Sequence, residues 1–226
     1  LFPTLIMPMD QIVQSALFES LKTIAINNIA ITYQDFLSRR NWVIDGAGLV
    51  LKKQGAALSL DVSMGLLAGG EDYASLRLGI ERQIGESAAQ FDVAFEDLPA
   101  QDMASQLPFF AWLNAVKGPI SGAISGAIDG SGALGALSVS LQVKQGVVRP
   151  NETAVPIQFE SAQTYFTYDP LDRRLEFDQI KVVGSDVSFL GQGYAALEMN
   201  EAWPDSLFGQ LRLSEAKANF QNSQLD

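Results

Sequence analysis

With 226 residues, 47% of them hydrophobic, the chain is long enough to bury a substantial core. Its 15 basic against 26 acidic side chains give a formal net charge of −11, a surface that repels phosphate backbones and argues against nucleic acid as a partner. Cysteine and histidine are both absent, which removes thiol nucleophiles, disulfides, thiolate or imidazole metal sites and the usual general base, so no metal, cofactor or catalytic residue is expected.

The sequence begins at a leucine with no secretory leader, and no stretch reaches the roughly 20 apolar residues that span a bilayer. It reads as a piece of a longer protein whose membrane anchor lies elsewhere. Residues 10–21, DQIVQSALFESL, place Ile12, Val13, Ala16, Leu17 and Leu21 at helical spacing after an Asp able to cap the start. From residue 23 the period changes to two, the strand signal. In TIAINNIAITY the parity of Ile24 and Ile26 is opposite to that of Ile29 and Ile31, so a bulge near Asn27 and Asn28 is needed to keep one apolar face. Alternating runs continue at 42–51, 57–64, 75–81 and 89–98, joined by turn chemistry such as KKQG and AGGED.

Residues 101–116, QDMASQLPFFAWLNAV, predict a second short helix, with Pro108 as its start or a kink within it. A helix followed by strands thus occurs twice. The whole chain reads as one segment with possible subunits at 9–98 and 99–226, a duplication with a period a little under about 100 residues. Further strands are expected at 137–143, 155–168, 174–184, 186–198 and 208–220, the mark of an antiparallel meander.

Between 118 and 143 the sequence GPISGAISGAIDGSGALGALSVSLQV contains a literal G-x-G-x-x-G at Gly130, Gly132 and Gly135. A dinucleotide site needs a helix after that motif, to hold the pyrophosphate at its N-terminus. ALSVSLQV alternates as a strand instead, so the motif fails. Ile120, Ile124 and Ile128 share one strand face with Gly122, Gly126 and Gly130. That alternation either lets a sheet bend sharply and leaves room between the isoleucines, or permits a helix or second sheet to pack closely there. The carboxylates of YDPLDRRLEFD (Asp169, Asp172, Glu176, Asp178) lie among Arg173 and Arg174 beside Pro170, which predicts a solvated turn with surface ion pairs and no acid–base dyad.

The stretch LNAVKGPISGAISGAIDGSGALGALSVSLQVKQGVV, followed by VPIQFESAQTYFTYDPLDRRLEFDQIKVVGSDVSFLGQGYAALE, resembles the C-terminal part of AsmA-like proteins of the bacterial envelope, the group that includes the YhdP and TamB relatives. The resemblance covers most of the chain from residue 24 and is clearest over 109–198. It rests on glycine and alternation patterns with no invariant catalytic signature. It implies a mainly β fold: an elongated, strongly curved antiparallel sheet, an open, taco-like β-groove with one or two short helices. It further implies a non-enzymatic role in carrying phospholipid between inner and outer membrane of a Gram-negative cell, in the periplasm, with attachment to the inner membrane through a segment outside this sequence. By parity on the strands of strongest alternation, Ile120, Ile124, Ile128, Val139, Leu141, Val143, Ile157, Phe159, Leu175 and Phe177 are the candidates to line such a groove. The same positions would face the core of a closed β-sandwich in a structural or adhesive domain, and parity leaves both readings open. Exposed sheet edges would also favour edge-to-edge self-association.

Overall fold

The structure, a computed structural model, describes residues 22–35, 40–67, 73–149, 153–185, 187–200 and 203–218. The helix predicted at 10–21 lies outside these residues. In chain order the elements are β1 (Thr23–Asp35), β2 (Arg40–Gln54), β3 (Ala57–Leu67), β4 (Tyr73–Gln83), β5 (Ala89–Pro99), α1 (Ala100–Gln106), a 3-10 helix (Pro108–Ala115), β6 (Val116–Lys117), β7 (Pro119–Ile128), β8 (Leu137–Val143), β9 (Gly146–Val148), β10 (Ile157–Phe159), β11 (Ser161–Asp169), β12 (Arg174–Val183), β13 (Val187–Asn200) and β14 (Trp203–Ala218). The fold is mainly β, as the alternation predicts. Eleven strands form one large antiparallel sheet in the order β1-β2-β3-β4-β5-β7-β8-β11-β12-β13-β14, not closed into a barrel, and β10-β9-β6 form a small second sheet. The chain divides into two compact units: residues 1–94 with 124–137, and residues 95–123 with 138–226.

The bulge demanded by the parity of β1 is present. Asn28 takes φ 58°, and the register against β2 slips between Ile26 and Ile29, which returns Ile29 and Ile31 to the face of Ile24 and Ile26. Asparagine tolerates this left-handed geometry better than the β-branched residues around it. A second irregularity, in β2 between Asp45 and Gly48, includes Gly46 at φ 65°.

The single helix predicted over 101–116 is two. Leu107 is extended (φ −129°, ψ 120°) and separates α1 from the 3-10 helix, in which Pro108 is the first residue. Proline supplies no N–H and pushes the residue before it out of the helical region, so the break falls where those two effects coincide. The run 155–168, expected as one strand, also divides. Glu160 interrupts it, leaving β10 in the small sheet and β11 in the large one, with the Glu160 N–H donating to the Val183 carbonyl at 2.8 Å.

The G-x-G-x-x-G stretch is the connection between β7 and β8. One carboxylate oxygen of Asp129 accepts from the Ser131 N–H (2.8 Å), the Ser131 hydroxyl (2.6 Å) and the Ala133 N–H (3.0 Å), while Gly132 sits at φ 85°. The Ser131 hydroxyl, then the Ala133 N–H, hold the exposed Asp129 carboxyl below its usual range. The loop's donors are spent on its own aspartate.

Candidate functional site

In the first unit, β1 to β4 present one apolar and one polar face. Register places Leu51 opposite Leu60, Leu49 opposite Val62, Leu60 opposite Ile80, Val62 opposite Leu78 and Met64 opposite Leu76, all on one side. The other side carries Ser59 opposite Glu81 and Ser63 opposite Arg77. At one end of the apolar face, Leu51 and Leu58 are buried, with Ile24, Leu49, Leu60 and Ile84 packed against them. Along the face, Leu60, Val62, Met64, Leu66, Leu76, Leu78 and Ile80 are only half-buried, and Ile26 and Ile31 on β1 are 48% exposed. The described residues of this unit contain strands and their connections only. Within this unit, no second layer among the described residues packs on them.

The second unit is built differently. Three cross-strand rows run along its face of the large sheet: Thr164, Ile180, Gly191, Leu213; then Phe166, Phe177, Gly193, Leu211; then Tyr168, Leu175, Ala195, Gly209. Over β11 and β12 this face is covered by the helical segment. Phe109 stacks on Tyr168 (5.0 Å, 17°), Phe110 meets Phe166 edge-on (6.3 Å, 88°), and Trp112 meets both Phe166 (6.4 Å, 73°) and Phe177 (6.4 Å, 83°) edge-on. Phe110, Phe166, Leu113, Ile120 and Leu175 are among the most completely buried side chains. At β14 the cover ends: Leu207, Leu211 and Leu213 are nearly half exposed, and Phe208 on the opposite face is 60% exposed.

Of the sequence candidates, Ile120, Ile124, Ile128, Val139, Leu141, Val143, Phe159 and Leu175 are buried, and Phe177 is half-buried within the aromatic cluster. Ile157 departs from its expected place. It lies on β10 in the small sheet, opposite Val148, and is 40% exposed, because the strand break at Glu160 removes it from the large sheet. Sequence reading also passed over the half-covered residues of β3 and β4. The signal was present in ALSLDVSM and SLRLGIE, but periodicity reports which side is apolar and says nothing of what lies on top.

The space beside the β7 glycines is filled by the protein itself. A Cβ at Gly122 would come 3.0 Å from Phe95 Cζ and 3.1 Å from Leu141 Cδ2, and would press on the Ser140 carbonyl; one at Gly126 would come 2.5 Å from Leu137 Cδ2 and 3.0 Å from Phe91 Cζ. The room left by the glycines is taken by neither a helix nor a second sheet but by side chains of the adjacent strands in the same sheet. A phenylalanine ring of β5 lies over each glycine.

The carboxylates of the β11–β12 turn behave as solvated groups. Asp169 accepts from the Leu171 and Asp172 N–H groups, and Arg174 pairs with Glu176 at 2.9 Å while lying 3.9 Å above the Tyr194 ring. Among the described residues no group of three or more acidic side chains could hold a metal ion, and no helix is long and apolar enough to cross a membrane.

Tyr168 is the titratable group tied to the aromatic cover. Desolvation pushes its phenol above the usual value, with Arg173 opposing and Asp169 adding to the shift. A raised folded-state pKa means the stability it contributes is fully present below the unfolded value, near 10, and is lost as pH rises through the folded value. Near-UV circular dichroism followed upward through pH about 10 is therefore expected to report loosening of the aromatic cluster. Tyr168→Phe should remove that step and leave the far-UV spectrum at neutral pH unchanged.

No protein-family model, curated protein or solved structure matches the chain.

Proposed function

We propose that this chain is a non-enzymatic lipid-transport segment of a bridge-like envelope protein, shielding phospholipid acyl chains as they pass between two membranes. The observation that carries the reading is the apolar face of β1 to β4, whose large side chains remain partly accessible along four adjacent strands. A monomeric soluble protein rarely leaves such a contiguous surface without a partner. An acyl chain of about 15 carbons leaves hydrocarbon at a cost of roughly 0.8 kcal/mol per methylene, about 12 kcal/mol in all. A continuous apolar strip removes most of that barrier because the tail exchanges one apolar contact for the next. The likeness to AsmA-like proteins supports the same reading, in which the protein works in the periplasm of a Gram-negative envelope, attached to the inner membrane through a segment elsewhere in the full protein. The long end strand β14, apolar on both faces at Leu207, Phe208 and Leu211, is suited to edge-to-edge pairing with a further strand.

A structural or adhesive domain with a closed core is the second reading, favoured by the aromatic layer over β11 and β12. The deciding variant must avoid the sealed positions. Ile124 and Ile128 are 6% and 7% exposed, so charging them would report on folding. Leu60 and Leu76 are half-buried on the accessible face and are not paired with each other. Protein purified from bacteria without detergent is expected to carry near-stoichiometric phospholipid by native mass spectrometry, and Leu60→Asp with Leu76→Asp to lose it with an unchanged far-UV spectrum. Lipid-free, fully folded wild-type protein would transfer the conclusion to the structural reading.

A further inference from the structure

The second unit holds a cavity of about 240 Å³ lined by Trp112 of the 3-10 helix, Leu141 and Val143 of β8, Phe159 of β10, and Ala162 and Ile180 of the large sheet. The exposed Leu207 is also part of its wall, so it reaches solvent there. Nearly all of its surface is apolar, and the polar side chains around it are already engaged. Thr164 donates its hydroxyl to the Gln179 carbonyl at 2.9 Å, and the Gln163 amide donates to the Tyr165 hydroxyl at 2.8 Å. The indole N–H of Trp112 is itself buried, so the wall that this residue contributes is the apolar part of its ring.

We propose that this cavity binds the hydrocarbon tail of one acyl chain. The size favours a single chain. Drug-sized ligands occupy about 300–1,000 Å³, whereas an apolar cavity of about 150 Å³ already accepts a benzene ring. A volume of 240 Å³ therefore takes part of one tail and excludes a two-tailed lipid. The edge-on contacts to Phe166 and Phe177 fix the indole plane that forms one wall. The chemistry is that of a hydrocarbon tail, whether of a free fatty acid or of a lipid ester. The inference deepens the lipid reading by naming a second, enclosed site on this unit, and rests on that reading only for the class of ligand.

The test is calorimetric titration of the delipidated full chain carrying Leu60→Asp and Leu76→Asp, which removes the open strip of the first unit as a competing acyl site, with dodecanoic acid and, separately, with dodecanoyl lysophosphatidylcholine. Saturable one-to-one binding of either is expected; binding of the acid alone assigns the site to free fatty acid, and of the lysolipid alone to an ester. Adding Ala162→Leu, which grows into the cavity, should abolish it. Folding of each variant is checked by far-UV circular dichroism. Absence of saturable binding in the folded double variant, or undiminished binding after folded Ala162→Leu is added, overturns the site. Loss of co-purified phospholipid in the double variant and loss of dodecanoyl binding with Ala162→Leu are thus separate failures.

Discussion

Replacing Phe110 by alanine is expected to destabilise the second unit by about 3–5 kcal/mol, the cost of emptying a buried aromatic site. Phe110 is fully buried, 4.5 Å from Phe109 and edge-on to Phe166. The segment that carries it has little stability of its own. α1 has seven residues and no side-chain cap, and the 3-10 helix of eight residues is longer than the 3–4 typical of such helices. Burial of its aromatic face is what holds it in place. Because typical domains are stable by only about 5–15 kcal/mol, this loss is a large share of the total. Hydrogen exchange with mass spectrometry separates the effect by region: peptides covering β11 and β12 should exchange about a hundredfold faster or more, while those covering β3 and β4 keep their protection. Phe208→Ala, at a position 60% exposed, should change stability by no more than about 0.5 kcal/mol.

Gly122→Val should be nearly as costly for the opposite reason. The added Cβ would collide with the Ser140 carbonyl oxygen on β8 and with the Phe95 ring. A ring can turn, but the carbonyl belongs to a paired strand and yields only if the ladder moves. Overpacking of this kind costs about 1–3 kcal/mol, and the backbone contact places this case at about the upper end. Eight residues further on, Gly130 has no atom within 4 Å of its would-be Cβ and no positive φ. Gly130→Ala should leave the chain unchanged or stabilise it by about 0.4–1 kcal/mol. Urea denaturation of the two variants side by side checks this contrast within one glycine-rich stretch.

Features governed by neighbours in sequence were legible. The β1 bulge followed from the clash of isoleucine parities around Asn27 and Asn28, the helix break from Pro108, and the inward side of β7 and β8 from their alternation. Features set by a third element were not. Nothing in GPISGAISG announces that Phe95, 27 residues before Gly122, and Phe91, 35 residues before Gly126, lie over its glycines. The strand 155–168 alternates without interruption, yet Glu160 splits it, because Ile157 to Phe159 pair with Gly146 to Val148 instead of with the large sheet. For the candidate site, alternation located the apolar side of each strand but could not separate Leu175, sealed beneath the helical segment, from Leu78, half covered on β4. Both read the same in a sequence because coverage is a property of the layer above.

The discontinuity of the first unit also bears on how the chain is made. β1 to β4 pair with their immediate successors, so each hairpin can close as soon as its second strand leaves the ribosome. Residues 124–137, which complete that unit, follow Ala94 only after 29 intervening residues, 95–123, that belong to the other one. At about 5–20 residues per second this is a wait of roughly 2–6 s, during which Ala89 and Phe91 lack the strand that later lies beside them. A nascent chain stalled in that interval should be the form most readily held by a chaperone.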